Sequence, residues 1–298
     1  MTKPVVTVIG SINMDLVTIA SRVPSQGETI LGEKFRLIPG GKGANQAVAA
    51  ARLGAKVHMI GAVGIDAFGK ELLHRLEREG VSVHNVKPVT DVETGVAAIT
   101  ISEGDNRIIV VPGANHSLRP EDIEECEEVI ASSDICLLQL EIPLSVVERA
   151  VELAKKHGVR VILNPAPAQP LPLSLLEQVD MITPNEHERD VIFADIDVSR
   201  FANQLIVTEG ARGVTIIKDG QPTLIPAFTV PVVDTTGAGD TFNGALAVAL
   251  SKGMSLEEAC LFGNAAAALS VTKLGAQTGM PTEDEVQEFL EAKKGCSS

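Results

Sequence analysis

An aspartate closes a glycine-rich stretch in Pro231-Val-Val-Asp-Thr-Thr-Gly-Ala-Gly-Asp-Thr-Phe-Asn-Gly244. Gly237 and Gly239 carry no Cβ, so the turn can adopt positive φ and a bulky anion can lie directly on the backbone. The apolar run before the turn reads as a strand, and the run after it reads as a helix. The first four N–H groups of such a helix have no internal partner, and its dipole adds roughly half a positive charge there. An anion is the expected occupant. Asp240 then admits two readings. It is an N-cap, a position aspartate favours, or it is a general base aimed at a group that loses its proton beside a phosphate.

More polar residues stand just past apolar runs, where α/β folds bind ligands. Asn13 and Asp15 follow Val5-Val-Thr-Val-Ile-Gly10 and lie on one side of an extended segment, because side chains alternate. Glu141 follows Asp134-Ile-Cys-Leu-Leu-Gln-Leu140, as a ligand residue or as a solvated edge carboxylate. Asn185 and Glu188, three apart at the start of a helical pattern, share a face. They suit Mg²⁺ held through water, or a helix cap. Thr208-Glu209-Gly210-Ala211-Arg212-Gly213 is another glycine turn, beside a nucleotide or simply within a hairpin toward Val214 to Ile217. Asn264, with Ala265 and Ala268, offers either a smooth wall for an adenine ring or ordinary helix packing.

Two segments carry a resemblance. Asp234-Thr-Thr-Gly-Ala-Gly-Asp-Thr-Phe-Asn-Gly244 is similar to the C-terminal signature of the ribokinase-like (PfkB) carbohydrate kinases, and Gly40-Gly-Lys-Gly-Ala-Asn-Gln46 to their N-terminal one. The resemblance implies a three-layer α/β/α fold with a mostly parallel central sheet and a small β-lid. The activity it implies is transfer of the ATP γ-phosphoryl group to a sugar. Asp240 would be the base, and the amides of Gly237, Ala238, Gly239 and Asp240 the anion hole. It also assigns Asn13, Asp15, Gly41, Lys42, Gly43, Ala44, Asn45 and Glu141 to the sugar. To the nucleotide and Mg²⁺ side it assigns Asn185, Glu188, Thr208 to Gly213, and Asn264. A monovalent cation, usually potassium, would sit between Asp234, Thr236 and the loop positions Ser270, Lys273, Gly275 and Gly279. The start Gly10-Ser-Ile-Asn-Met-Asp15 and the segment Asn164-Pro-Ala-Pro-Ala168 look most like the members that phosphorylate D-ribose at its 5-hydroxyl. A family kinase for 2-deoxyribose, fructose or adenosine, or a non-catalytic sugar-binding protein, is the alternative.

Elements must hold these groups in place. Residues 17 to 38, broken by Pro24 and Gly27, form no helical pattern and read as short strands leaving the main sheet. With the apolar pair Thr94–Ile101 and Arg107–Val111 around a Glu103–Asn106 turn, they are expected to build a lid from about residues 12–39 and 93–112, within a single 1–298 domain. In the family this lid covers the sugar and often mediates a homodimer. Gly40 and Gly41 stand at its base as a hinge, before an alanine-rich helix. A strand from Val57, a turn over Gly61 to Gly69 and a helix ending at Gly80 make one βα unit, and Pro120 opens an acidic helix. Between Asn185 and the strand Gln204–Thr208 the chain is shorter than the family pattern, so that crossover helix is expected to be truncated or irregular.

Composition bounds the partners. In 298 residues a net charge of −14 argues against nucleic acid and anionic membranes, whose fields it would repel. The chain has neither Trp nor Tyr for stacking on single strands. Cys126, Cys136, Cys260 and Cys296 show neither paired nor regular spacing, which fits reduced thiols in a cytoplasmic protein. No G-x-G-x-x-G follows the first strand and no G-x-x-x-x-G-K-[ST] occurs, which disfavours dinucleotide and P-loop sites.

Overall fold

The computed structural model describes residues 3–103, 105–218 and 220–295. Gly104 of the expected Glu103–Asn106 turn and Cys296 lie outside the described residues. In chain order the strands are β1 (Val5–Ile9), β2 (Asn13–Ile19), β3 (Lys34–Gly40), β4 (Lys56–Gly64), β5 (Val81–Val89), β6 (Gly95–Ser102) and β7 (Asp105–Val111). Then come β8 (Ile135–Leu138), β9 (Arg160–Leu163), β10 (Met181–Ile182), β11 (Ile206–Thr208), β12 (Gly213–Lys218) and β13 (Gln221–Pro226). The helices are α1 (Lys42–Arg52), α2 (Ala67–Arg78), α3 (Pro120–Glu124), α4 (Glu127–Ala131) and α5 (Leu144–Lys156). They continue with α6 (Leu173–Leu176), α7 (Glu186–Ile192), α8 (Ala238–Ser251), α9 (Leu256–Ser270) and α10 (Glu283–Gly295).

Six parallel strands in the order β10-β9-β8-β1-β4-β5 form the central sheet. Period-two alternation sorts their side chains into two apolar layers. Val6, Val8, Ile135, Leu137 and Ile162 join the side of α1, α8 and α9, whereas Ile9, Cys136, Leu138, Val161 and Leu163 join the side of α5. The result is a three-layer α/β/α fold. From β1 the chain runs outward through β4 and β5, and from β8 it runs the other way through β9 and β10. The strand order therefore reverses between β1 and β8, and a crevice opens beyond their carboxyl ends.

A separate sheet, β3-β2-β6-β7, stands off this body, with β2 parallel to β6 and both outer pairs antiparallel. A three-stranded antiparallel sheet, β11-β12-β13, continues the edge beyond β10 through bridges at Ile182–Leu205 and Asn185–Thr208.

The structure corrects four sequence expectations. Residues 231–233 are no strand: Val232 and Val233 are 63% and 60% exposed, and only Val233 and Asp234 reach a neighbour, donating to the Val271 carbonyl. Pro226 ends β13 and Pro231 has no N–H to offer a ladder. Strand β4 does not turn at Gly61 but continues to Gly64 in register with Val89 of β5. The acidic helix after Pro120 divides into the short α3 and α4. Gly239 has no positive φ, for it already belongs to α8. The short crossover ends α7 at Ile192 and resumes as a 3-10 turn over Val198–Phe201, held by Phe201 against Phe193 with ring centroids 5.5 Å apart.

Candidate active site

Helix α8 begins at Gly237, whose φ of 79° is left-handed and whose missing Cβ would stand 2.9 Å from the Ala276 backbone. Glycine is required there on both counts. Ala238 donates its N–H to the Thr235 carbonyl, so it is spent. Among the described residues the N–H groups of Gly237, Gly239 and Asp240 find no acceptor, and the space where a Gly239 Cβ would point is open. Three of the four expected amides are thus available to an anion.

Asp240 is the third residue of α8 and does not cap it. Its side chain is buried and turned toward α1. Oδ2 accepts from Asn45 Nδ2 at 2.9 Å and Oδ1 from Gln46 Nε2 at 3.0 Å. Burial pushes this carboxyl above its ordinary range, and Glu141 adds to the push, while Lys42 and the two amide donors pull it back. A carboxylate held by neutral donors and raised in basicity is fitted to take a proton.

Helix α1 can come this close because Gly43 sits on the Gly10–Ser11 backbone, where a Cβ would be 2.6 Å from Ser11 N. Gly41 precedes it at φ 88°. Glu141, at the end of the β8 segment, accepts from Ser11 Oγ at 2.5 Å and from Lys42 N at 3.0 Å. Asn13 and Asp15 share one face of β2, and Asn13 Oδ1 accepts from Asn115 Nδ2 at 2.7 Å. Burial, then Glu141 and Asp240, raise Asp15 to about 7. Burial alone would lower the Lys42 ammonium, but Asp240, Glu141 and Glu188 outweigh it and its pKa is raised. The crevice between β1 and β8 therefore collects three carboxylates around one lysine.

On the far side, Asn185 caps α7 through Glu188 N, and Glu188 Oε2 accepts from Asn185 N, both at 2.8 Å. The cap reading holds for this pair, yet it occupies one oxygen of Glu188 only. Burial raises the Glu188 carboxyl. Thr208 to Gly213 forms the hairpin between β11 and β12, with Thr208 bonded to the Pro184 carbonyl and Arg212 paired with Glu186. Asn264 directs its amide N–H groups to the Ile225 and Pro226 carbonyls, which ties α9 to β13 and leaves its oxygen for any ligand. Asp234 Oδ1 accepts from Thr236, and Oδ2 from Gly275 N at 2.8 Å. Gly279 packs on the Ser270 carbonyl, and Lys273 reaches Glu285 at 3.9 Å. The Asp234 carboxylate and the Ser270 carbonyl beneath Gly279 are hard oxygen donors of the kind an alkali cation takes.

Sequence reasoning missed the amides behind the site. Gln46 donates its second N–H to Asn164 Oδ1 and accepts from Gln139 Nε2 at 2.6 Å. Asn164 continues to the Thr183 carbonyl, Thr183 Oγ1 to Asn243, and Asn243 Nδ2 to the Gly239 carbonyl. This chain runs from the base back to the anion-binding turn. Gln46 ends the Gly40–Gln46 motif and could have been flagged there, whereas nothing local marks Gln139 or Asn115.

Residues 3–283 match the pfkB family carbohydrate kinase. The chain belongs to that family. This carbohydrate kinase is 47% identical over 289 residues to the ribokinase of Bacillus subtilis, covering 96% of this chain and 99% of that one. It is 47% identical over 296 residues to the ribokinase of Lactococcus lactis, with 97% of each covered. Its fold matches an Arabidopsis thaliana ribokinase complexed with ribose and ATP at a TM-score of 0.89 and 34% identity, over 97% of this chain and 99% of that one. An ATP-dependent sugar kinase accounts for helix N-terminal amides left without acceptors beside a buried carboxylate of raised basicity. The described residues contain no helix long and apolar enough to cross a membrane, and Cys126, Cys136 and Cys260 are free and buried.

Proposed function

We propose that this kinase phosphorylates D-ribose at its 5-hydroxyl, giving ribose 5-phosphate and ADP. One observation carries the chemistry: Asp240, oriented by two amides, stands one peptide from Gly239, whose N–H and open face border the same turn. Ribose as the sugar is supported by the names of the relatives and by the ribose and ATP of the Arabidopsis complex.

Asp240 takes the proton of the 5-hydroxyl as that oxygen forms its bond to the γ-phosphorus. The bond from the γ-phosphorus to the β–γ bridging oxygen breaks, and its electron pair leaves with ADP. The N–H groups of Gly237, Gly239 and Asp240 face the negative charge of the transferring group. Mg²⁺, when bound, neutralises charge on the phosphate oxygens. Glu188 would hold it through water with the oxygen its helix cap leaves free. Asn13, Asp15, Glu141 and the α1 start from Gly41 to Asn45 hold the sugar hydroxyls under the β3-β2-β6-β7 lid. Asn185, Thr208 to Gly213 and Asn264 flank the nucleotide. Asp234, Thr236 and the backbone carbonyls at Ser270, Lys273, Gly275 and Gly279 would hold potassium. The enzyme works as a cytoplasmic homodimer joined through its lids, a reading supported by the exposed apolar strands of that sheet and the buried, unpaired thiols.

A coupled ADP-release assay across ribose, 2-deoxyribose, fructose and adenosine tests the assignment. Ribose should give the highest kcat/KM. Preference for another acceptor reassigns the substrate, and no turnover with any of the four overturns the proposal.

A further inference from the structure

The tripeptide Gly275-Ala276-Gln277 touches the site at three points. Gly275 N donates to Asp234 Oδ2 at 2.8 Å, Ala276 fills the space a Gly237 Cβ would need, and Gln277 Nε2 donates to Asn45 Oδ1 at 3.0 Å. Asn45 in turn donates to Asp240 Oδ2 at 2.9 Å. Gln277 is buried, and its backbone is fixed from helix α1. Arg52 Nη1 bonds the Gln277 and Met280 carbonyls at 2.8 and 2.9 Å, while its Nε and Nη2 hold Glu79, each at 2.7 Å. Arg52 and Asn45 lie two turns apart on one helix, so α1 grips the loop at one end and is gripped by it at the other.

The geometry points to Gln277 as a positioning residue for the base: it holds the Asn45 carboxamide so that its nitrogen, rather than its oxygen, faces Asp240. An Asn side chain has a donor end and an acceptor end, and only the donor end suits a carboxylate. Gln277 occupies the acceptor end with an N–H, so both ends are matched at once and the amide has one low-energy orientation. The second donor on Asp240, Gln46, is locked separately by Asn164 and Gln139, so Asn45 is the arm that the C-terminal loop controls. The consequence is a contact path of two hydrogen bonds from the loop beside Asp234 to Asp240 Oδ2. This inference rests on Asp240 being the base of a sugar kinase.

Gln277→Met keeps side-chain length and removes the donor, and Gln277→Glu sets a second carboxylate competing with Asp240 for the same Asn45 NH₂. The charged groups facing Asp240 in both variants are Lys42 from α1, Glu141 beyond β8, Asp15 from β2 and Glu188 from α7. These four are unchanged by the substitution. Gln277→Met should lower kcat about tenfold, the rate equivalent of one hydrogen bond to a charged group, with KM for ATP held within about twofold. The loss should be deepest on the acid side, because a base deprived of a donor titrates at higher pH. Gln277→Glu should be worse in the same direction. In an Asn45→Ala background either change should add little.

Wild-type kcat in Gln277→Met, an equal loss at every pH, or factors that multiply with those of Asn45→Ala would each overturn the role. If Gln277→Met does not fold, the isosteric Gln277→Glu carries the test by the same readouts. Wild type and Asp240→Asn are run alongside. An active wild type with a silent Asp240→Asn and an unaffected Gln277→Met sinks this inference alone, whereas an active Asp240→Asn sinks the base assignment beneath it.

Discussion

Asp240 accepts two hydrogen bonds from neutral amides and, among the described residues, forms no salt bridge, so its charge is oriented without a bonded counter-ion. Replacing it with Asn removes the proton acceptor and keeps the shape. Asp240→Asn should lower kcat by about 10²-fold to 10⁴-fold while the sugar dissociation constant changes far less. Near-normal turnover would take the base role from this residue. Asp15 makes a different statement. Its carboxyl is raised from 3.8 to about 7, first by burial and then by Glu141 and Asp240. The folded chain therefore holds this proton more tightly than the unfolded chain. The associated stability is complete below the unfolded value and is lost as pH rises through about 7. Asp15→Asn lacks that loss, so its melting temperature relative to wild type should climb between about pH 5 and about pH 8. A flat difference across that range would show that the folded chain does not raise the Asp15 carboxyl.

At the scale of elements, α7 shows how one carboxylate can serve a helix and a ligand together. Glu188 closes a capping box with Asn185 and keeps one oxygen unengaged, facing Lys42 and Asp240 within electrostatic range. Glutamine closes such a box as well as glutamate does. Glu188→Gln should therefore keep the melting temperature and raise the Mg²⁺ concentration for half-maximal rate. Glu188→Ala should do both kinds of damage, losing about 1 kcal/mol of cap and a few degrees of melting temperature. An unchanged Mg²⁺ requirement in Glu188→Gln would reduce the residue to a cap.

At the scale of the molecule, the lid sheet is the part least explained by a single chain. Its register sets Leu16, Leu37, Ala98 and Ile109 in one row and Met14, Pro39, Val96 and Val111 in the next, on the face opposite Asp15. Leu37, Ile109 and Val111 are 45%, 70% and 52% exposed, and Phe35 beside them is 62% exposed. A second copy of the same sheet is the occupant we propose for this face. Light scattering should give twice the 31.3 kDa chain mass, and Ile109→Lys should return it to 31.3 kDa with a higher KM for the sugar. A wild type that stays monomeric at micromolar concentration would end that proposal.

Much of this was legible in the residues because the signals are local. The glycine turn before Asp240, the alternation of β1 and β8, and the Asn185–Glu188 box each arise from neighbours along the chain, where spacing alone dictates which groups meet. Asn264 shows the limit, since its sequence position cannot say that its N–H groups are spent on Ile225 and Pro226. The partners of Asp240 lie 195 and 194 positions away, and Gln277 reaches Asn45 across 232. Amide side chains look alike in any sequence, and which end of each faces which neighbour is fixed only when strands β1 and β8 bring the three segments into one crevice. The sequence alone thus determined which chemistry the turn could support. Tertiary packing decided which buried amides aim the base, because hydrogen-bond direction depends on distance and angle, and those exist only in the folded chain.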